Sequence, residues 1–335
     1  MDHVNKGQSS NDVFLSAMHI SSFLSIKRSL LPSIKTLTDA LKEQSMRFRK
    51  IIKVGRTHLQ DAVPITLGQE ISAWSASLSN HLKNLQGSIV DLLELPIGGT
   101  AVGTGVNCFY GFDRMMVDEI SNVLHENFLV SRNKFESIST CNAMVSVHSV
   151  LKCLAISMMK ISNDIRFLSS GPRCGIGEIH IPNNEPGSSI MPGKMNPTQC
   201  EIMNMICAQV LGNDVAINIG GFSGNLELNT FRPMIINNFL HSVYILSEGL
   251  SNFNRYCVSG IQPNHERIDR LLKKSLMLAT ALNHRIGYDR SVKIVKMAHQ
   301  RDLTIYQANK ILGYLSEQEF LKYTDPKKMV HPEKI

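Results

Sequence analysis

Three polar segments of this chain contain side chains that could take part in acid–base chemistry. They are GQSSND at 7–12, GRTHLQD at 55–61 and GSSIMPGKMNPTQCE at 187–201. The first is also typical of a helix start, with Asn11 or Asp12 as its N-cap. The second contains His58, and a single loop histidine is more often a surface group than a catalyst. The third segment fits a ligand-binding loop and a mobile surface loop equally well.

The third segment predicts a flexible loop that ends at the beginning of a long helix. The proline–glycine pairs in and beside it oppose helix formation. Asn196 then fits an N-cap, Pro197 the first helical position and Gln199 the third, which is a capping box. The positive end of a helix favours a bound carboxylate, and Lys194 adds a full positive charge. Glu201 follows one turn into the helix.

Between these segments, apolar residues recur at steps of three and four. That spacing indicates one face of a helix. It occurs at 71–92 and, close to a heptad repeat, at 144–168. Further long helices are expected at 14–49, at 198–219 and at 231–253. The first of these contains Pro32, which should kink it or end it.

Long helices with several apolar stripes require other helices to cover them, so we predict an all-α fold. The expected architecture is a bundle of long helices at 1–262. After that point the helices shorten and charged residues become more frequent. We therefore expect a small helical C-terminal domain at 263–335.

Composition excludes several classes of protein. A net charge of +7 could steer dianionic substrates, and no motif for nucleic-acid binding accompanies it. Seven cysteines without a C-x-x-C pair argue against a disulfide framework, a zinc ribbon or an iron–sulfur cluster. No apolar run is expected to reach the length that crosses a membrane. The glycine-rich stretch at 98–105 lacks a third glycine in the nucleotide-binding spacing, so nucleotide binding is rejected.

The third segment resembles a family signature. Residues 187–196, GSSIMPGKMN, fit the pattern GSSxMPxKxN of the fumarase/aspartase superfamily. The SSND and GRTHLQD segments are similar to the other two conserved regions of that superfamily. His58 favours class II fumarases, because aspartases typically have glutamine at this position. The resemblance extends from about Asp2 to about His331.

This resemblance implies the reversible hydration of fumarate to L-malate, without a metal or organic cofactor. Ser188 is expected to remove the carbon-bound proton, and His58, hydrogen-bonded to Glu201, to handle the water. Further substrate contacts are expected from Ser9, Ser10, Asn11, Thr57, Ser189, Lys194, Met195 and Asn196. A homotetramer whose sites draw on several subunits is also implied. Its compartment would be the cytoplasm, or the mitochondrial matrix in a eukaryote.

The chain departs from the family pattern at its beginning. Class II fumarases have an N-terminal domain before the SSND segment, and it supplies further substrate contacts. Of a second dicarboxylate site, only Asp2 is matched here, so we expect a truncated chain. Two alternatives to an active fumarase therefore stay open. One is an impaired remnant that acts only as an oligomerising helical protein, and the other is an aspartate ammonia-lyase.

Overall fold

Helices dominate the computed structural model, which describes His3 and residues 5–332. The α-helices are α1 (Ser10–Ser25), α2 (Leu31–Arg47), α3 (Leu67–Ser88), α4 (Phe112–Leu124), α5 (Lys134–Ser139), α6 (Asn142–Leu168), α7 (Thr198–Phe222), α8 (Arg232–Tyr256), α9 (His265–Lys274), α10 (Asn283–Ile286), α11 (Tyr288–Gln300), α12 (Ile305–Leu312) and α13 (Glu317–Tyr323). A π-helix covers Ile26–Leu30, and 3₁₀ turns cover Ile89–Leu93, Val258–Gly260, Leu276–Leu282 and Pro326–Lys328.

Six short strands form three two-stranded sheets within the described residues. They are β1 (Ile52–Thr57), β2 (Gln60–Thr66), β3 (Glu94–Leu95), β4 (Leu129–Val130), β5 (Ile179–His180) and β6 (Gln262–Pro263). Strands β1 and β2 are antiparallel, as are β5 and β6, whereas β3 and β4 are parallel. The prediction of an all-α fold is confirmed, since these strands are few and short.

The helical faces predicted from spacing are the buried faces. On α6 every position of the predicted stripe is buried, namely Met144, Val147, Leu151, Leu154, Met158, Ile161, Ile165 and Leu168. The stripe at 71–92 follows α3 into the 3₁₀ turn after it. It is buried at each position except Leu82, which is half-buried. Apolar periodicity alone therefore identified which side of each helix faces the core.

The chain divides into two compact units, each built from separate parts of the sequence. The first comprises Met1–Thr38, Ala76–Asp164 and Glu185–Cys257, and the second comprises Asp39–Ser75, Ile165–Asn184 and Val258–Ile335. The sequence-based boundary between residues 262 and 263 stays a prediction.

In the first unit, α7 and α8 pack along each other and α1 packs on α8. A buried polar cluster links the long helices. His148 on α6 has Nδ1 3.0 Å from Asp214 Oδ1 on α7 and Nε2 2.9 Å from Ser242 Oγ on α8. Lys152 also reaches Asp214, at 2.8 Å. Because each polar atom needs its partner once water is excluded, the cluster fixes the register of three helices.

The second unit contains the β1–β2 hairpin, the β5–β6 pair and the C-terminal helices. The core of those helices includes Leu282, Ile294 and Phe320, all buried. The hairpin was not predicted as a pair of strands, because 52–66 does not alternate cleanly between apolar and polar residues.

The first predicted long helix is interrupted by a short π-helix. The helix expected at 14–49 changes to a π-helix at Ile26–Leu30 and resumes as α2, with Pro32 at its second position. The proline therefore lies just after the π-helix, where the α-helical pattern of hydrogen bonds is already interrupted.

Two described helices, α6 and α7, are long and apolar enough to cross a membrane by length and composition alone. The expectation that no apolar run reaches this length was therefore wrong. The length and composition of these two helices are weak support for a membrane role, since the core helices of soluble bundles have the same composition. The buried stripe of α6 is such a core face.

We predict that stability falls as pH decreases from 7.5 to 5, and that His148→Gln weakens this dependence. Burial lowers the pKa of His148, and the hydrogen bond to Asp214 opposes this only in part. The unfolded chain therefore binds a proton more strongly, so stability is complete above the ordinary histidine pKa of 6.5 and is lost below it. Burial lowers the pKa of His19 as well, so some dependence should remain in the variant.

Thermal melting across this pH range measures the effect, with the exposed His180→Gln as control. A His148→Gln variant with the same pH slope as the wild type would contradict the assignment.

Candidate active site

The first predicted segment forms the N-terminus of α1, and Ser9 is its cap. Ser9 Oγ accepts a hydrogen bond from Asn11 N at 3.2 Å, and Asp12 Oδ1 accepts one from Ser9 N at 2.9 Å. This is a capping box, so the prediction of Asn11 or Asp12 as N-cap was wrong. The physical reason is that the helix already begins at Ser10. The amide of Asn11 is half-buried and donates to Ala101 O at 2.8 Å.

Asp12 is fully buried and joins this helix start to the glycine-rich stretch at 98–105. Its Oδ2 accepts hydrogen bonds from Gly98 N and Thr100 N, both at 2.9 Å. Thr100 has a left-handed backbone (φ 54), is 3% exposed, and its hydroxyl has no hydrogen-bond partner among the described residues. The glycine-rich stretch, which sequence excluded as a nucleotide loop, thus supports the Ser9–Asn11 segment. No spacing pattern in the sequence indicated this contact.

The second predicted segment is the tip of the β1–β2 hairpin. His58 and Leu59 form its two-residue turn, and both have left-handed backbones with φ of 56 and 60. Asparagine and glycine are the usual residues in such turns, and other residues cost about 1–2 kcal/mol each. Thr57 and His58 are exposed. The hairpin therefore presents the imidazole at a strained tip that the rest of the unit must hold.

The third predicted segment is closed by backbone contacts of Gly187. Gly187 N donates to Lys194 O at 3.0 Å, and Asn196 Nδ2 donates to Gly187 O at 2.9 Å. A Cβ on Gly187 would lie 2.4 Å from Lys194 O. Only glycine therefore allows the two ends of this loop to approach so closely.

Ser188 lies inside this loop, and two backbone amides point at its hydroxyl oxygen. Ile190 N and Met191 N donate to Ser188 Oγ at 3.2 and 3.1 Å. Hydrogen bonds donated to an oxygen favour negative charge on it. These contacts form a serine turn, in which two backbone donors are fixed at the hydroxyl oxygen.

The start of α7 differs from the sequence prediction. The helix begins at Thr198, and Pro197 occupies the N-cap position without a side-chain hydrogen bond. The predicted capping box of Asn196 and Gln199 was wrong, because the Asn196 amide turns back to close the loop. Glu201 lies one turn into the helix, where its N–H donates to Pro197 O at 3.2 Å, and it is exposed.

The predicted site residues are distributed over both units. Those at 9–11 and 187–201 belong to the first unit, and Thr57 and His58 belong to the second. The exposed ones are Ser10, Thr57, His58, Ser189, Lys194, Met195 and Glu201, and the half-buried ones are Ser9, Asn11, Ser188 and Asn196. Asp2, predicted for a second dicarboxylate site, lies outside the described residues. The assignment of these residues to one site stays a prediction.

Within His3 and residues 5–332, no three His, Cys, Asp or Glu side chains are grouped so as to hold a metal ion. The expectation of a reaction without metal or organic cofactor stays a prediction.

Comparison with known proteins identifies the family. A family model described as "Lyase" matches residues 1–212, and one described as "Fumarase C C-terminus" matches 278–331. The class II fumarate hydratase of Wigglesworthia glossinidia brevipalpis is 57% identical over 329 residues, which cover 98% of this chain and 71% of that protein. This chain belongs to the class II fumarate hydratases. The family is one of lyases, so the resemblance inferred from the three segments is confirmed.

Other class II fumarases agree in sequence and in fold. The fumarate hydratase of Yersinia pestis is 55% identical, with 98% of this chain and 71% of that protein covered. The crystal structure of class II fumarase from Schistosoma mansoni superimposes with a TM-score of 0.93 at 38% identity. That match covers 99% of this chain and 73% of the schistosome chain. The fumarase fold is therefore retained across the aligned residues.

We predict that Gly187→Ala opens the 187–196 loop. The added Cβ would collide with Lys194 O, so the hydrogen bonds that close the loop should be lost. One such bond contributes about 0.5–1.5 kcal/mol, and about 1.4 kcal/mol corresponds to tenfold in an equilibrium. Amide exchange at 187–196 should therefore accelerate by up to about tenfold, as measured by mass spectrometry.

The matched control is Gly212→Ala, because a Cβ at Gly212 on α7 would meet nothing within 4 Å. Unchanged exchange at 187–196 in the Gly187→Ala protein would show that the loop does not depend on this close approach.

Proposed function

We propose that this chain catalyses the reversible hydration of fumarate to L-malate. In the direction from L-malate to fumarate, a weakly acidic proton is removed from the carbon beside a carboxylate, and hydroxide then leaves. An aci-carboxylate forms on the way. The chemistry requires a base, a group that handles water, and donors aimed at the developing charge. Membership of the class II fumarate hydratases and the geometry of the Ser188 loop support the proposal.

The single observation that carries the proposal is the pair of amides on Ser188 Oγ. A serine hydroxyl is too weak a base to remove a carbon-bound proton unless its alkoxide is stabilised. The Ile190 and Met191 amides supply that stabilisation without any side chain. Lys194 adds positive charge to the same loop. In this proposal Ser188 takes the proton from carbon, and Lys194 with Asn196 holds one substrate carboxylate.

His58 is proposed to handle the water that adds or leaves, with Glu201 as its partner. A carboxylate beside an imidazole fixes its tautomer and raises its basicity. Both side chains are exposed, so each is free to meet the surface of another subunit. Hydrogen bonds to the substrate are assigned to Ser9, Ser10, Asn11, Thr57, Ser189 and Met195. No metal or organic cofactor takes part in the proposed steps, and the bacterial relatives favour the cytoplasm as the compartment.

A homotetramer is part of the proposal, because bulk water would protonate the Ser188 alkoxide if the site stayed on an open surface. The exposed apolar residues of α7 and α8 are the surface that we assign to the contact. They are Ile202, Met205, Val215, Ile219 and Phe222 on α7, and Tyr244 and Tyr256 on α8. A helix that is apolar on all sides is normally buried on all sides. Contact between subunits through these helices would cover both the apolar faces and the site residues.

The activity is tested by absorbance at the fumarate band after L-malate is added to the purified chain. We expect fumarate to form, and Ser188→Ala to lower kcat by at least about 10²-fold, the contribution typical of a positioned general base. Ser223→Ala, at the far end of α7, is the control. A well-folded oligomer without activity would refute the hydratase for this chain, and ammonia release from aspartate would identify an aspartase. Full activity of Ser188→Ala would refute the role of the serine alone.

The oligomer is tested by sedimentation velocity. The double variant Val215→Asp, Ile219→Asp should dissociate and lose activity, because two carboxylates would be buried without partners at the contact. Val123→Asp on α4 is the control, because Val123 is also apolar and 66% exposed. An active wild-type monomer would contradict the proposed assembly.

A further inference from the structure

The hairpin that presents His58 is held by a group of four charged side chains, two of them buried and two half-buried. The group consists of Lys53 and Arg56 on β1, Glu70 on α3, and Glu178 just before β5. Lys53 and Glu178 are both completely buried. Two positive and two negative charges balance, as buried charges require. We call these four residues the hairpin clamp.

Glu178 is the centre of the hairpin clamp. Arg56 Nη1 and Nη2 donate to Glu178 Oε2 and Oε1 at 2.8 and 3.0 Å, so the pair is bidentate. Lys53 Nζ lies 3.1 Å from Glu178 Oε2 and 3.0 Å from Glu70 Oε1. A bidentate guanidinium–carboxylate pair fixes orientation as well as distance, because both planar groups must align.

The backbone of Glu178 is itself fixed. Its N–H donates to Leu168 O at the end of α6, and its C=O accepts from Asn264 N beside α9, both at 2.8 Å. The carboxylate therefore cannot follow the hairpin if the hairpin moves. Arg56 instead follows the carboxylate, and Arg56 is only two residues from His58.

The hairpin depends on this support for two reasons. Its turn residues, His58 and Leu59, both have unfavourable left-handed backbones. Its strands also contain a β-bulge at Gly55, where a Cβ would lie 2.5 Å from Val63 O. A bulge interrupts the ladder of hydrogen bonds and changes the direction of the strand. The ladder alone therefore does not set the direction of the tip.

We propose that Glu178 is a positioning residue for the hydration reaction, acting through Arg56 to set the orientation of His58. Glu178 does not touch the substrate in this scheme, and it transfers no proton. The inference rests on the proposed function, because it assigns His58 to the handling of water. A misplacement of about 1 Å in such a group costs up to about 10²-fold in rate.

The kinetic test compares Glu178→Gln with Glu70→Gln. The first variant removes the charge that Arg56 and Lys53 share, and the second removes a charge from Lys53 while the Arg56–Glu178 pair stays in place. We expect Glu178→Gln to lower kcat by up to about 10²-fold with KM nearly unchanged, because His58 would act in the transition state and contribute little to substrate binding. Glu70→Gln should keep most of kcat. A Glu178→Gln protein with wild-type kcat and only a lower melting temperature would overturn the proposal.

A second readout is independent of activity. The imidazole signal of His58 can be identified among the twelve histidines by its loss in His58→Gln, using selectively ¹³C-labelled histidine. The signal should move in Glu178→Gln and in Arg56→Lys, which keeps the charge but loses the bidentate pair, and should stay in place in Glu70→Gln. If Glu178→Gln does not fold, Arg56→Lys alone decides the question.

The two readouts separate failure of the inference from failure of the proposed function. An inactive wild type with a His58 signal that depends on Glu178 and Arg56 would refute the hydratase and leave the positioning intact. A His58 signal that none of these variants moves would overturn the positioning, whatever the activity.

Discussion

A buried imidazole shared by three long helices is the interaction on which the first unit depends. His148, Asp214 and Ser242 come from three helices, and all three are buried. Apolar packing alone would tolerate a shift of one helix along another, because Leu, Met and Ile side chains accept many neighbours. A buried hydrogen-bonded cluster does not tolerate it, since each atom would lose its partner. Helix α7 begins just after the loop of Ser188, so a fixed register of α7 also fixes the position at which that loop ends.

In the second unit, other interactions must hold a short hairpin whose two turn residues have unfavourable left-handed backbones. Hydrophobic burial supports β1 at Val54, while Thr57 and His58 at the tip are exposed. Charge pairing supports the middle of the strand, through Lys53 and Arg56. Both kinds of interaction act on β1, so the exposed tip is held through the strand that leads to it.

Sequence predicted the helices well, because a stripe such as Met144, Val147 and Leu151 has one physical explanation. The family also followed from sequence, since the segment at 187–196 matches its signature closely. Local details failed where several residues compete for one role. Asn196 has the right chemistry for an N-cap, yet its amide closes the loop onto Gly187 instead. The partner of Arg56 is 122 positions away, and no spacing rule connects residues at that distance.

The Asp12 carboxylate has a consequence for the tolerance of this protein to mutation. Among the described residues, its hydrogen bonds come from the backbone amides of Ser9, Gly98 and Thr100. The Thr100 side chain can therefore change without loss of a donor, provided that the backbone keeps its left-handed path, whereas at Gly98 (φ 82) a Cβ would lie 2.8 Å from Asp113 Cβ. Asp12 has no such freedom, because asparagine would replace one acceptor oxygen with a donor. In a library of single substitutions, two positions should therefore be intolerant here, the buried acid at the helix start and the glycine that donates to it.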